Sequence, residues 1–199
     1  MKNVIITSRE NAFEDNLANA FIREGYNVYI AGSDELCDCE KIDIYIDVSD
    51  KRDAADSFTI RDGLNEEVIY GVYNENVLKP LEMLEKHMHL LNAGDGKRIC
   101  FLSAAEASIN ETRDKNGYAY KLSKAAMHNF FHMAMNKLDS AGYTWRVFDP
   151  MNGEVDPVLS AEGAFNYFTR RRGTENHDPQ RDDEKRLVFR DALGREHTW

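Results

Sequence analysis

Tyr120 and Lys124 stand four residues apart. On a helix that spacing places both side chains on one face, a single turn from each other. An ammonium beside a phenol favours the phenolate and lowers its pKa. A phenol tuned in this way can give and take a proton near neutral pH. Ala119, Leu122, Ala125, Ala126, Phe130 and Phe131 give the same stretch an apolar side, so residues 117–131 read as a helix carrying an acid/base pair. The competing reading is a surface helix whose Tyr packs by its ring while the Lys stays in water.

A pair like this needs a scaffold. Asn3–Thr7 is a short apolar run and reads as a buried strand. Phe13, Leu17, Ala20 and Phe21 have helical spacing and stop at Gly25, and Val28–Ala31 is a second strand ended by Gly32. Strand, helix, strand in so short a span is a βαβ unit and points to a parallel sheet. Ile42–Val48 is the next strand, 51–65 a polar loop, and 66–92 a helical pattern that Pro80 should kink or break in two. Arg98–Ser103 and Thr144–Pro150 are further strands, and Leu159–Phe168 a further helix. Residues 172–185 are polar, and a strand-like tail follows from Leu187. No internal repeat and no second domain is visible.

Composition limits the partners. A chain of 199 residues, 42% hydrophobic and 30% charged, is long enough for one domain with a full core. A net charge of −10 argues against nucleic acid and anionic membrane surfaces. Arg170-Arg171-Arg172 reads as a solvated helix end. No run approaches the roughly 18 apolar residues of a membrane span, and the amino terminus has no cleavable signal. An odd count of 3 Cys argues against a disulfide framework and for a reducing cytoplasm. Cys37-Asp38-Cys39 lacks a matching second pair, so no metal site is expected.

The string Tyr118-Ala119-Tyr120-Lys121-Leu122-Ser123-Lys124-Ala125-Ala126 resembles the active-site helix of the short-chain dehydrogenases/reductases. The likeness is to their small carbonyl-reductase-like and C-signal-like branch, where the pattern reads Tyr-Ala-Tyr-Arg-x-Ser-Lys-x-Ala. It extends over roughly residues 3–199 and implies a single Rossmann-like domain, 1–199. The fold implied is a three-layer, doubly wound parallel α/β sheet. NAD or NADP is the implied cofactor and a small molecule the substrate. By the resemblance Tyr120 protonates a carbonyl oxygen, and Lys124 holds the ribose. Asn76, in Asn76-Val77-Leu78-Lys79-Pro80-Leu81, orders a water for the proton relay. The family's catalytic Ser falls on Ala104, which leaves Ser103 or Ser108 to replace it. Pro150 stands where the family packs on the nicotinamide, and the tail Leu187–Trp199 resembles its last strand and Asp-Gly-x-x-x-x-Trp ending.

The first turn departs from that pattern. The family's Thr-Gly-x-x-x-Gly-x-Gly becomes Thr7-Ser8-Arg9-Glu10-Asn11-Ala12-Phe13-Glu14. Thr7, Ser8, Arg9, Asn11, Ala12 and Phe13 are therefore the candidate cofactor contacts, while Glu14 puts a carboxylate where a pyrophosphate would sit. Only Gly32–Lys41 separates the second strand from the third, so an edge strand and its helix are expected to be missing. Asp47-Val48-Ser49 stands in place of Asn-Asn-Ala-Gly.

Three functions follow. The first is an NAD(P)-dependent oxidoreductase that reduces a small carbonyl or oxidises an alcohol through Tyr120 and Lys124. The second is a non-catalytic binding or regulatory protein that has lost the dinucleotide. The third is a lyase or isomerase using Tyr120 without nicotinamide. Helices 74–92 and 118–138 carry more apolar residues than one face needs, which implies a homo-oligomer.

Overall fold

The computed structural model describes residues 1–31, 39–57, 61, 63–113, 116–170, 183 and 186–199. Expectations that fall on 32–38 lie outside them, namely the Gly32 stop, Cys37 and most of the interval in which an edge unit should be missing. So do those on Asp62, on Arg171-Arg172 and on nearly all of 172–185.

The strands are β1 (Asn3–Ile6), β2 (Asn27–Ile30), β3 (Ile44–Asp47), β4 (Arg98–Leu102), β5 (Thr144–Asp149) and β6 (Phe189–Asp191). They form one parallel sheet in the order β2-β1-β3-β4-β5-β6. Alternation along each strand divides the core into two halves. Val4, Ile6, Ile46, Leu102 and Phe148 pack beneath α1 (Ala12–Arg23) and α5 (Pro157–Thr169). Ile5, Tyr45, Ile99, Phe101, Trp145 and Val147 pack beneath α3 (Lys79–Ala93) and α4 (Tyr118–Leu138). The result is the expected three-layer α/β fold. Its strand order reverses between β1 and β3, so the crevice beyond their carboxyl ends is where such sheets take ligands.

Two local features position the crevice. The first is the junction of α2 (Glu66–Tyr73) and α3. Pro80 does not break the helix, because it is the second residue of α3, where its missing N–H costs little. The irregularity is instead a π-turn over Asn74–Leu78, which holds Asn76. The second is the start of α4. Gly117 sits there at φ 77°, a left-handed conformation that suits glycine. No side chain of the helix's own first turn caps it. Asp56 does so from the loop after β3, its carboxylate accepting the N–H groups of Ala119 and Tyr120 at 3.0 Å each.

Candidate active site

Tyr120 and Lys124 are both buried on α4, 2% and 3% exposed, and both reach the carboxyl ends of β3 and β4. Tyr120 Oη donates to Asp50 Oδ1 at 2.5 Å. Lys124 Nζ donates to the carbonyls of Ser49 at 2.5 Å and Leu102 at 3.1 Å, and lies 3.6 Å from the same Asp50 oxygen. One carboxylate therefore takes the point on which the phenol and the ammonium converge. Arg52 covers the phenol ring, with its guanidinium carbon 3.8 Å from the ring centre, and pairs with Glu106.

This arrangement reverses the expected electrostatics. Burial and then the Asp50 charge push the Tyr120 phenol well above its ordinary range, with Arg52 opposing them. The lowering expected from Lys124 is overturned because that ammonium serves two carbonyls and Asp50 instead. Burial also pulls Lys124 down, against the attraction of Asp50 and Asp47. It pushes the Asp47 carboxyl up, against Lys124 and Ser49.

Asn76 fixes the segment that delivers Asp50. Its Oδ1 accepts from Lys51 N at 2.7 Å, and its Nδ2 donates to Lys51 O at 2.8 Å and Ser123 Oγ at 3.0 Å. Of the two serines offered for the one missing at Ala104, Ser103 is at the cleft and Ser108 is not among its lining residues. Ser103 lines the cleft beside Asp50, but its Oγ is 2.6 Å from His128 Nε2. Burial, with help from Lys124, holds that imidazole down to about 3, so the partner is neutral. Ser108 is outside the cleft, its Oγ accepting the N–H groups of Asn110 and Glu111 within its own turn.

At the first turn, Asn11 caps α1 and Glu14 answers it, as in a capping box. The Glu14 carboxylate takes Glu10 N–H at 2.6 Å, Asn11 Nδ2 at 2.6 Å and Ser8 Oγ at 2.9 Å. Helix N-termini of this kind hold phosphate through free N–H groups, and here the chain supplies the anion. Thr7 stays at the crevice and ties β1 to β3, its Oγ1 3.3 Å from Asp47 Oδ1 and 3.0 Å from Val48 N. Two expected contacts are corrected. Arg9 turns outward to Asp15 and Asn19 because the surface of α1 offers it a carboxylate. Phe13 packs into the core against Phe148. Ala12 opens α1 with only a methyl group to contribute. Pro150 lines the cleft, and its carbonyl accepts from Ser160.

The crevice has two lobes of about 360 and 310 Å³, and Asp50 is on the wall of both. The first is lined by Thr7, Ser8, Glu14, Asp47 and Lys79 among others. A nicotinamide dinucleotide does not fit these residues as they stand. Its pyrophosphate would meet Glu14 at the helix end, and its ribose would compete with Asp50 for Lys124. Asp50 is the residue that motif reading missed. The signal was there, since it follows Asp47-Val48-Ser49 at the place of the family's fourth residue, a glycine. Asp56 and His128 left no such signal, because their partners are distant in sequence.

No family model and no curated protein matches the sequence. Solved structures do match in shape. A carbonyl reductase from Pseudomonas aeruginosa PAO1 in complex with NADP has a TM-score of 0.75 at 15% identity, covering 100% of both chains. The carbonyl reductase Sniffer of D. melanogaster has 0.75 at 14%, also over 100% of both chains. A Burkholderia multivorans structure assigned to the short-chain alcohol dehydrogenases has 0.77 at 14%, over 100% of this chain and 99% of that one. Together with the all-parallel sheet, these likenesses show that the chain has the Rossmann-like, doubly wound fold of the short-chain dehydrogenases/reductases.

Proposed function

We propose that this chain is a binding or regulatory protein on a short-chain dehydrogenase/reductase fold, working without a nicotinamide dinucleotide. The observation that carries this reading is Asp50 at the convergence of Tyr120 Oη and Lys124 Nζ. Glu14 supports it from the other end of the crevice. Two carboxylates of the chain thus fill the two places where a dinucleotide needs cationic or N–H partners. Fold and chemistry part company here. The regulatory partner is a second copy or an active relative, met through α3 and α4, where Leu122 and Met133 stand exposed. Fluorescence titration with NADH and NADPH into the millimolar range tests the reading. It expects no saturable binding, and saturation by either would overturn it.

A second reading has its own support. Tyr120 and Lys124 do meet at one buried point at the mouth of the sheet, and the structural neighbours include carbonyl reductases. On that reading the chain is an oxidoreductase for a small carbonyl or alcohol, active only after Asp50 leaves the pair. Turnover of NADPH with a carbonyl substrate, lost in Tyr120→Phe with an unchanged melting temperature, would favour it over the first.

A further inference from the structure

We propose that the cleft between α4 and the carboxy-terminal tail is a second ligand site, suited to a neutral, largely apolar molecule that carries an aromatic ring and one hydrogen-bonding group. The cleft is separate from the crevice at Asp50 and measures about 800 Å³. Small-molecule sites span roughly 300–1,000 Å³ and combine apolar walls with a few polar groups. One wall is a stripe of α4. Ala125, His128, Asn129, His132 and Asn136 recur there at the spacing of a single helix face. The opposite wall is apolar, formed by Leu187 and Trp199, with Ile109 at the mouth, 81% exposed.

The chemistry of the lining selects the ligand class. Imidazole and amide groups on one side offer hydrogen bonds, and the indole offers a ring face. Arg186 is the charged residue of the lining, and Glu196 already engages it through two bonds of 2.5 and 2.7 Å. An anionic head group would have to break that pair, so a neutral one is favoured. The row of polar groups favours a small molecule here, while the exposed Leu122 and Met133, outside this lining, are left for a second copy.

The site is also wired to the first one. His128 lines this cleft, while its Nε2 bonds Ser103, which lines the lobe beside Asp50 and Asp149. Trp199 lies edge-on to the same imidazole, with ring centres 4.9 Å apart. A ligand seated against His128 and Trp199 therefore acts on the position of Ser103 through one hydrogen bond.

The experiment uses the full chain with acetophenone as the neutral aromatic probe and benzoate as its charged counterpart. Binding is followed by ligand-observed NMR and by indole fluorescence. Saturable acetophenone binding is expected, at least tenfold tighter than benzoate, together with a shift of the His128 imidazole resonances. Ala125→Trp fills the cleft and Trp199→Ala removes a wall, and each should weaken acetophenone at least tenfold. Glu14→Gln with Asp50→Asn, at the other crevice, should leave it unchanged. Failure of acetophenone to saturate would overturn the proposal. So would equal binding in Ala125→Trp and Trp199→Ala, or a dimer that binds the probe only after dilution.

Discussion

Tyr120 Oη and Asp50 Oδ1 meet at 2.5 Å, joining the first turn of α4 to the loop that leaves β3. The bond defines the state of the crevice. A buried phenol that donates to a half-buried carboxylate keeps its proton, and an ammonium that serves the same carboxylate is not free for a sugar.

The raised Tyr120 pKa sets an alkaline limit on stability. Its folded value lies above the ordinary 10.0 because of burial and then Asp50. Below about pH 10 both states keep the proton, so that stabilisation is complete there. As pH climbs beyond that, the unfolded chain ionises while the folded one does not, and stability falls. Tyr45 and Tyr167, also raised by burial, push the same way. Melting temperatures measured on either side of pH 10 should fall less steeply in Tyr120→Phe than in the wild type.

Lys124 is the one ammonium facing Asp47, Asp50 and two carbonyls among the described contacts. Lys124→Met strips that charge from buried partners, and breaking a buried pair costs about 3–5 kcal/mol. Adding Asp50→Asn should recover part of the loss. Urea unfolding of the single and double variants checks both, and a double variant no better than the single would show that Asp50 is not the stranded charge.

Asp56 caps α4 from a distance through two N–H groups. Asp56→Ala should cost about 0.5–2 kcal/mol, the range for losing a helix cap. Amide exchange at Ala119 and Tyr120 should speed up selectively, and uniform protection along α4 would contradict the assignment.

Glu14 and Asp50 together should control dinucleotide affinity. Glu14→Gly removes an internal anion and puts glycine inside the first turn of α1, with a stability loss of about 1 kcal/mol. Combined with Asp50→Gly, it should bring NADH binding into range of a fluorescence titration, at least tenfold tighter than the wild type. Glu14→Gln removes the charge and keeps one acceptor oxygen for Glu10 N–H and Ser8, at the loss of the bond from Asn11 Nδ2.

The sheet, its layers and the helix of Tyr120 were readable because they rest on local apolar periodicity and on one well-spaced string. The crevice was only half readable. Glu14 announced itself as a carboxylate in a glycine position. Asp50, which decides the state of Tyr120, lay one residue beyond the three compared with a family string. The two serine candidates hold partners that no spacing reveals. Ser103 is claimed by His128 across the core, and Ser108 by the turn that follows it. Arg9 and Phe13 were misplaced because gap-free matching tracks chain position and says nothing of which side of a helix start faces the crevice.

The internal anions at the head of α1 and beside Lys124 also bear on how the protein lives. A nucleotide-dependent relative makes its last contacts only when its coenzyme arrives, so its persistence follows the supply of that metabolite. On the proposed reading the corresponding contacts close as the chain folds, and the molecule's half-life is then independent of the redox economy around it.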